Sequence, residues 1–571
     1  MISLTTLPTR PFGSEVPTPQ AREVDAAGLA EELHRRIRGE VRFDKGSRAL
    51  YATDGSNYRQ VPIGVVVPRT VEDVLETVAA ARRYGAPVLS RGCGTSLVGQ
   101  CCNVAVVMDF SKYLHHLVGI DPGRKLGTVQ PGCVLDDLRD AAARHGLMFA
   151  PDPATHSHCT LGGMLGNNSC GIHSLLAAKH GRGVRTSDNT HELEVLTYDG
   201  TRLRVGPTPP EEMGRIIQAG GRRGEIYGRL KAFLAQYEGA IRTMPKLPRR
   251  VSGYNLDALL PENGCNVAQA LVGSESTRVV ILEATLHLVP NPKARMLVVF
   301  GYPDVFTAAD HVPDILPLHP TGLEGMDHLL FEWSEAAGNV AGGLALLPPG
   351  KGILYVEFGG DSKEDSDAQA RRCMDLLKRI AHPPTMKLLD NSEEEEKVWK
   401  VRENGLGATA WVPGHPDTWP GWEDSAVPPD KVGPYLRELR KLFSKYGYHP
   451  SLYGHFGQGC VHCRVAFDLY TAEGIQNFRN FLDEAADLVV SFGGSLSGEH
   501  GDGQGRAELL PKMYGPDLME AFHEFKRIWD PDWKMNPGKV IDPYPITSNL
   551  HLGTDYHPPK VQTHFQFPAD Q

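Results

Sequence analysis

The sequence predicts a mixed α/β and α+β protein built from several domains. Three features lead to that reading: a β-α-β pattern beginning at residue 64, glycine-rich loops at 91–96 and 160–171, and a change of character after Pro292. At 571 residues the chain is too long for one core and suggests roughly two to four domains.

The β-α-β unit reads as follows. Residues 64–67 form a β-branched strand ending at Pro68. Thr70 opens a helix, with Asp73 as its capping-box partner and Val71, Val74, Leu75 and Val78 at helical spacing. Gly85 stops it, and strand 86–89 feeds the first glycine loop. Residues 104–108 and 128–130 are further strands, and 134–145 is a helix ended by Gly146. Segments 192–198 and 201–205 form a hairpin around Asp199-Gly200, and 279–288 alternates as a half-buried strand. After Pro292, strands 296–302 and 352–358 and helices near 305–316, 364–381, 429–446 and 471–492 predict a second, α+β domain. A glycine- and proline-punctuated region with one helix runs from 493 to 542, followed by a tail without periodicity.

Composition excludes several classes. Hydrophobic residues make up 41% and charged residues 22%, as in an ordinary globular protein. The net charge of −10 leaves no basic excess for a general nucleic-acid binder. The local pair Arg249-Arg250 is a candidate anion site. There is no apolar run of transmembrane length. Residues 1–22 lack the apolar stretch of a secretory signal and read as a flexible lead-in. Ten scattered cysteines do not form a disulfide framework, so a cytoplasmic location is the expectation.

The two glycine loops are too bare of large side chains to build a core. Glycine allows close approach of a ligand, and successive open N–H groups form an anion-binding nest. Neither loop is a P-loop or a Rossmann fingerprint, so they predict a large phosphate-bearing cofactor held by another route. A second cluster carries metal-ligand chemistry. His455 and His462 flank a glycine-rich turn, and Glu499-His500 lie within Ser497–Gly503. Two imidazoles and one carboxylate suit zinc, manganese or iron(II) with open positions. Hydrogen-bonded histidines in tight turns are the structural alternative. Cys460 and Cys463 form a single C-x-x-C pair, read as buried small hydrophobes. Asn536, between Met535 and Pro537-Gly538-Lys539, is either part of a plain C-terminal cap or an amide offered to a ligand.

Loop 91–96, loop 160–171, Gly273–Thr277, Gly454–His462, Ser497–Gly503 and Met535–Lys539, six motifs in order, resemble the FAD-binding family of vanillyl-alcohol oxidase type. Within it the likeness is to the D-lactate, glycolate and D-2-hydroxyglutarate dehydrogenase branch, over about residues 40 to 545. It is strongest to the flavin half of longer proteins that also carry an iron–sulfur part, whose cysteines this sequence lacks. The resemblance implies a lead-in (1–39), a PCMH-type FAD-binding domain of two α/β subdomains (40–290) and an α+β cap with an antiparallel sheet (291–492). It also implies a segment returning to the FAD domain (493–545) and an extended tail (546–571).

The resemblance further implies a site. Arg91, Gly92, Cys93, Gly94, Thr95 and Ser96 would hold the pyrophosphate of FAD, joined by Gly99 and Gln100. Pro153, Thr155, Thr160, Gly162, Gly163, Asn168, Ser169 and Gly171 would line the rest, with Glu275 and Asn536 on the other side. Thr95 stands where relatives with covalent flavin often have histidine, which implies non-covalent FAD. A divalent metal, zinc first and manganese or iron as alternatives, would sit on His455, His462 and Glu499 and acidify the substrate hydroxyl. His500 would be the general base and Arg402 the partner of the substrate carboxylate. Hydride would pass from the α-carbon to the flavin.

Three departures from the family pattern stand out, the first bearing on the backbone and the other two on substrate. Ser276 replaces a glycine, Arg464 replaces an asparagine of hydroxyglutarate enzymes, and 421–425 lacks their lysine. A dicarboxylate would lose a partner unless Arg464 replaces it, so a small monocarboxylate such as D-lactate is favoured, with D-2-hydroxyglutarate and glycolate as the alternatives. Electrons would pass to a separate acceptor such as an iron–sulfur protein, peripheral to the inner membrane through that acceptor, with a homodimer compatible. A non-catalytic FAD electron-transfer subunit and the alkylglycerone-phosphate synthase branch are the competing readings.

Overall fold

The computed structural model describes residues 24–338 and 342–557. The expected lead-in at 1–22 and the tail beyond residue 557 lie outside them.

The first sheet has the strand order Glu40–Arg42, Gly64–Val67, Val106–Asp109, Val88–Arg91, with the last three parallel. Helix Val71–Arg83 crosses over between its strands. The capping box at its start is present, with Thr70 and Asp73 exchanging N–H bonds at 3.2 Å each, and Gly85 ends it at φ +65°. Val74, Val78 and Ala81 pack onto Val66, Val88 and Val106. Residues 26–36, assigned by sequence to a lead-in, instead form a helix that buries Leu29 and Leu33 in this core.

The second sheet is antiparallel throughout: Leu117–Asp121, Leu126–Val129, Val280–His287, Thr190–Leu196, Arg202–Val205. Strand Val280–His287 alternates buried and half-buried residues, as its sequence pattern requires. Helix Gly221–Ile241 left no clear periodic signal because Gly221, Gly224, Gly228 and Gly239 interrupt it. It is held by Tyr227, Leu230 and Phe233, with Phe233 against Phe525 of helix Leu510–Trp529 at 5.7 Å.

The third sheet, also antiparallel, runs Thr385–Leu389, Ala294–Tyr302, Gly352–Gly360, Gly322–Asp327, Tyr453–Gly454. Both its faces are covered. Met296, Val298 and Phe300 join the main core, while Leu297 and Val299 pack with Met326, Leu330, Val398 and Tyr453 on the other face. The helix expected over 305–316 is broken into Val305–Asp310 and Val312–Ile315 at Pro313, which cannot donate the bond that would continue it. Residues 546–557, expected to be extended, are packed down: Ile546 is buried, and Arg59 and Asn549, and His551 and Asn57, pair at 2.8 Å. Among the described residues no helix is long and apolar enough to cross a membrane.

Candidate active site

The sheets leave a cleft of about 1030 Å³ and an adjoining cavity of about 610 Å³, which share Gly92, Ser96, Cys101, Thr160, Gly163 and Asn167 as wall. Cys93, Gly94, Thr95, Pro153, Thr155 and Ser169 line the larger space; Arg91, Gln100, Gly162 and Glu275 line the smaller. Among the described residues, the backbone N–H groups of Cys93 to Ser96 have no hydrogen-bond partner. Gln100 Oε1 is buried without one. Beside Gly163 and Gly166 a Cβ would meet nothing nearer than 3.3 and 4.0 Å, so these glycines leave a cradle that a larger residue would fill. An extended anionic ligand with a flat ring suits this lining.

Several of the expected site residues make other contacts in the structure. The Arg91 guanidinium does not face an anion: it is spent on the carbonyls of Cys101 (2.7 Å) and Thr53 (2.9 Å) and lies over Tyr51. Gly99, Asn168, Gly171 and Asn536 are not on the wall of either cavity. Gly99 packs on Tyr58, where a Cβ would come within 2.6 Å. Residues 161–167 of the expected second glycine loop instead form the short helix Leu161–Asn167, capped by Thr160; Asn168 ends it at φ +59° and accepts the Ser187 N–H, and its neighbour Asn167 takes the cleft face. Gly171 is needed because a Cβ would come within 2.0 Å of the Asp152 backbone. Asn536 ties the carbonyls of Gln100 (3.0 Å) and Glu275 (2.8 Å) together from behind. Ser276 stands in the left-handed region, at φ +62°, and accepts the Ser90 N–H on its hydroxyl.

On the far wall four segments converge. Helix Ser392–Glu403 brings Arg402, the loop before strand Ser425–Ala426 brings Glu423 and Asp424, the turn after Tyr453–Gly454 brings His455 and His462, and the C-terminal segment brings Glu499 and His500. His455 donates Nδ1–H to Glu324 at 2.8 Å, and His462 donates Nδ1–H to the Glu423 carbonyl at 2.7 Å. Each bond fixes a tautomer whose Nε2 faces Glu499, at 3.3 and 3.2 Å. The donor set of His455, His462 and Glu499 therefore fits a divalent cation. Asp424 is as near to His462, Glu499 and His500, but its Oδ2 already accepts from Ser497 Oγ and the N–H groups of Gly498, Glu499 and His500, at 2.5 to 3.1 Å. It anchors the loop.

Glu423 was missed as a site residue because its segment was read for an absent lysine. Its carboxylate accepts from His500 Nδ1 at 3.1 Å and Arg506 at 2.6 Å. Burial opposes charge on His500, but Asp424, Glu423 and Glu499 outweigh it and raise the imidazole to about 10. Arg402 lines the cleft, ion-paired with Glu324 at 2.7 Å. Arg464 is not on the cleft wall; its charge acts on the Tyr453 hydroxyl. Arg249-Arg250 is no open anion site: both are buried, Arg249 against Glu499 (2.8 Å) and Arg250 against Asp257 (2.6 Å). Cys460 and Cys463 are buried free thiols.

The glycines of Ser497–Gly503 are explained by crowding. A Cβ on Gly501 would stand 2.4 Å from Glu275 Oε1, and one on Gly503 2.3 Å from the Val98 carbonyl. Glu275, expected to contact the cofactor, lines the smaller cavity and spends its carboxylate on the N–H groups of Asp502 and Gly503.

Residues 62–206 match the FAD binding domain and residues 291–540 the C-terminal domain of FAD linked oxidases. The chain is 30% identical to D-2-hydroxyglutarate dehydrogenase of Pseudomonas putida over 523 residues, which are 89% of this chain and 51% of that protein. It thus spans about half the length of that relative. It is 27% identical to D-lactate dehydrogenase of Archaeoglobus fulgidus, covering 84% of this chain and 91% of that one. In fold it is similar to 4-ethylphenol oxidase from Gulosibacter chungangensis, with a TM-score of 0.62 at 15% identity, covering 90% of this chain and 97% of the other. The two matching domains together cover most of the chain, and the glycine-lined cleft and the shared fold agree with them: the chain belongs to the FAD-linked oxidases.

Proposed function

We propose that this chain is an FAD-dependent dehydrogenase of small D-2-hydroxy acids. The observation that carries the reading is the convergence of Arg402, His455, His462, Glu499 and His500 on the same cleft that the glycine loops line. FAD, when bound, supplies the hydride acceptor. Arg402 takes the substrate carboxylate, for which a forked guanidinium is suited. His500 Nε2 takes the hydroxyl proton, while Glu423 holds Nδ1 and Asp424 holds the backbone of the loop. A divalent cation on His455, His462 and Glu499 would acidify the hydroxyl and, by offsetting the carboxylates around His500, bring that imidazole into working range. Glu423 and Arg249 fix the orientation of His500 and Glu499 in a water-poor wall.

A monocarboxylate such as D-lactate is the preferred substrate, because Arg402 is the one Lys or Arg side chain on the cap side of the cleft among the described residues. D-2-hydroxyglutarate is the second reading, favoured by the relatives at about half their length. We further propose that the FAD is dissociable, since Thr95 offers no side chain for a covalent link, and that electrons leave to a separate acceptor. Anaerobic titration of the FAD-loaded protein with D- and L-hydroxy acids, with metal analysis of the same sample, tests the reading. Bleaching of the flavin by a D-2-hydroxy acid is expected. Absence of bleaching at full flavin and metal loading refutes it.

A further inference from the structure

Glu324 has no part in the steps above, yet two of the site's groups depend on it. It lies in strand Gly322–Asp327, on the sheet face shared by Met326, Leu330 and Tyr453, and it is 1% exposed. Oε1 accepts Nδ1–H of His455 at 2.8 Å. Oε2 accepts Nε–H of Arg402 at 2.9 Å and faces Nη2 at 2.7 Å. The Arg402 guanidinium also lies over the Tyr453 ring, 5.1 Å from its centroid. A carboxylate this deeply buried is kept charged only by such partners. Glu324 is absent from the cleft wall, so it reaches substrate only through His455 and Arg402.

Resting on the hydroxy-acid reading, we propose that Glu324 is a positioning residue that sets the separation between Arg402 and His455 and thereby selects 2-hydroxy over 3-hydroxy acids. In a 2-hydroxy acid the carboxylate and the carbinol carbon are adjacent; a 3-hydroxy acid inserts one more carbon, about 1.5 Å of chain. One carboxylate bonded at both ends is a bridge of fixed length between the group that takes the acid's carboxylate and the imidazole beside its hydroxyl. A misplacement of about 1 Å is enough to cost on the order of 100-fold in rate. Glutamine has the same shape but breaks the bridge. Its oxygen can accept from Arg402 or from His455, and its NH2 then points a donor at the other.

The test uses FAD-loaded protein and the variants Glu324→Gln and Glu324→Asp. Anaerobic flavin reduction is measured with D-2-hydroxybutyrate and D-3-hydroxybutyrate. Propionate binding is followed by flavin absorbance, and bound metal by elemental analysis. The natural chain is expected to favour the 2-hydroxy acid by about 100-fold. Glu324→Gln should narrow that ratio about tenfold or more through loss on the 2-hydroxy acid, weaken propionate binding and lower the metal content together. Glu324→Asp keeps the charge, shortens the bridge and should narrow the ratio with less loss of metal, which keeps the test open if the glutamine variant does not fold. A uniform loss on both acids with an unchanged ratio overturns the proposal, as do unchanged propionate binding and metal content. If no hydroxy acid bleaches the natural chain, the hydroxy-acid reading fails. The positioning role is then decided by whether propionate binding and metal content fall together in Glu324→Gln.

Discussion

Raising the pH should loosen the junction between residues 62–206, which match the FAD binding domain, and the third sheet, through one histidine. His173 donates Nδ1–H to Asp152 at 2.5 Å, and its Nε2 lies 3.3 Å from Glu357. Glu357 belongs to strand Gly352–Gly360 of that sheet and is also paired with Arg295 at 2.9 Å and Thr321 at 2.7 Å. Burial disfavours charge on His173, but Asp152 and Glu357 prevail and raise it from 6.5 to about 9. That difference corresponds to about 3 kcal/mol, at roughly 1.4 kcal/mol per pH unit. Because the folded value lies above the unfolded one, this stabilisation is complete below about pH 6.5 and is lost as the pH climbs through about 9. On the acid side, Asp152 and Glu357 are held below their ordinary values despite burial, chiefly by His173 and by Arg295. Their contribution is present above about pH 4 to 4.5 and declines as the pH falls toward their folded values. The assay is urea unfolding of FAD-loaded protein at pH 6.5 and 9.5, for the natural chain and for His173→Gln. The natural chain should lose about 3 kcal/mol more than the variant over that interval. Parallel pH dependence in the two proteins refutes the reasoning.

Other outcomes follow from the same geometry. Asp424→Asn replaces charge-assisted bonds to four donors of the 497–500 loop by neutral ones. It should cost about 2–4 kcal/mol and lower the metal bound per flavin; an unchanged melting temperature and metal content would contradict this. Gly501→Ala puts a side chain at φ +89° and 2.4 Å from Glu275, a strain of about 1–3 kcal/mol that differential scanning calorimetry should register as a lower midpoint. Arg402→Lys keeps a charge but loses the fork, so KM for the hydroxy acid should rise about tenfold or more with a smaller change in kcat. Dialysis against a chelator should slow flavin bleaching without releasing FAD, and zinc or manganese should restore it; an unaffected rate would remove the cation from the reaction.

Much of the site was legible in the sequence because its parts are local. Thr70 and Asp73 cap a helix three residues apart, and such a bond needs no tertiary context. At glycines 92, 94 and 162 a Cβ would collide with Thr160, Arg91 and Pro131, and His455, His462, Glu499 and His500 lie in glycine-flanked turns whose polar residues stand out from an apolar pattern. Glu324, Glu423, Asp424 and Arg249 share another property, that their role depends on a partner far away in the chain. Glu324, Glu423 and Asp424 look like ordinary acids until the strand, loop and C-terminal segment bring them to His455, His500 and Gly498. Arg91 and Arg249 look like anion binders until folding gives their guanidinium groups carbonyls and Glu499 as partners. Helix Gly221–Ile241 was hidden because its stabilisation comes from packing on Leu510–Trp529, not from a clean apolar stripe.

The amino-acid order by itself determined the β-α-β start, the alternating strands, the glycine loops and the types of ligand on offer, since these depend on backbone sterics and on residues within a few positions of one another. Tertiary structure alone decided which charged groups face the cleft and which are neutralised behind it. Burying a charge is costly without a partner, and the partners of Glu324, Glu423, Asp424 and Arg249 described above lie 73 to 250 residues away, so only the closed fold could show which side chains remain free to meet a ligand.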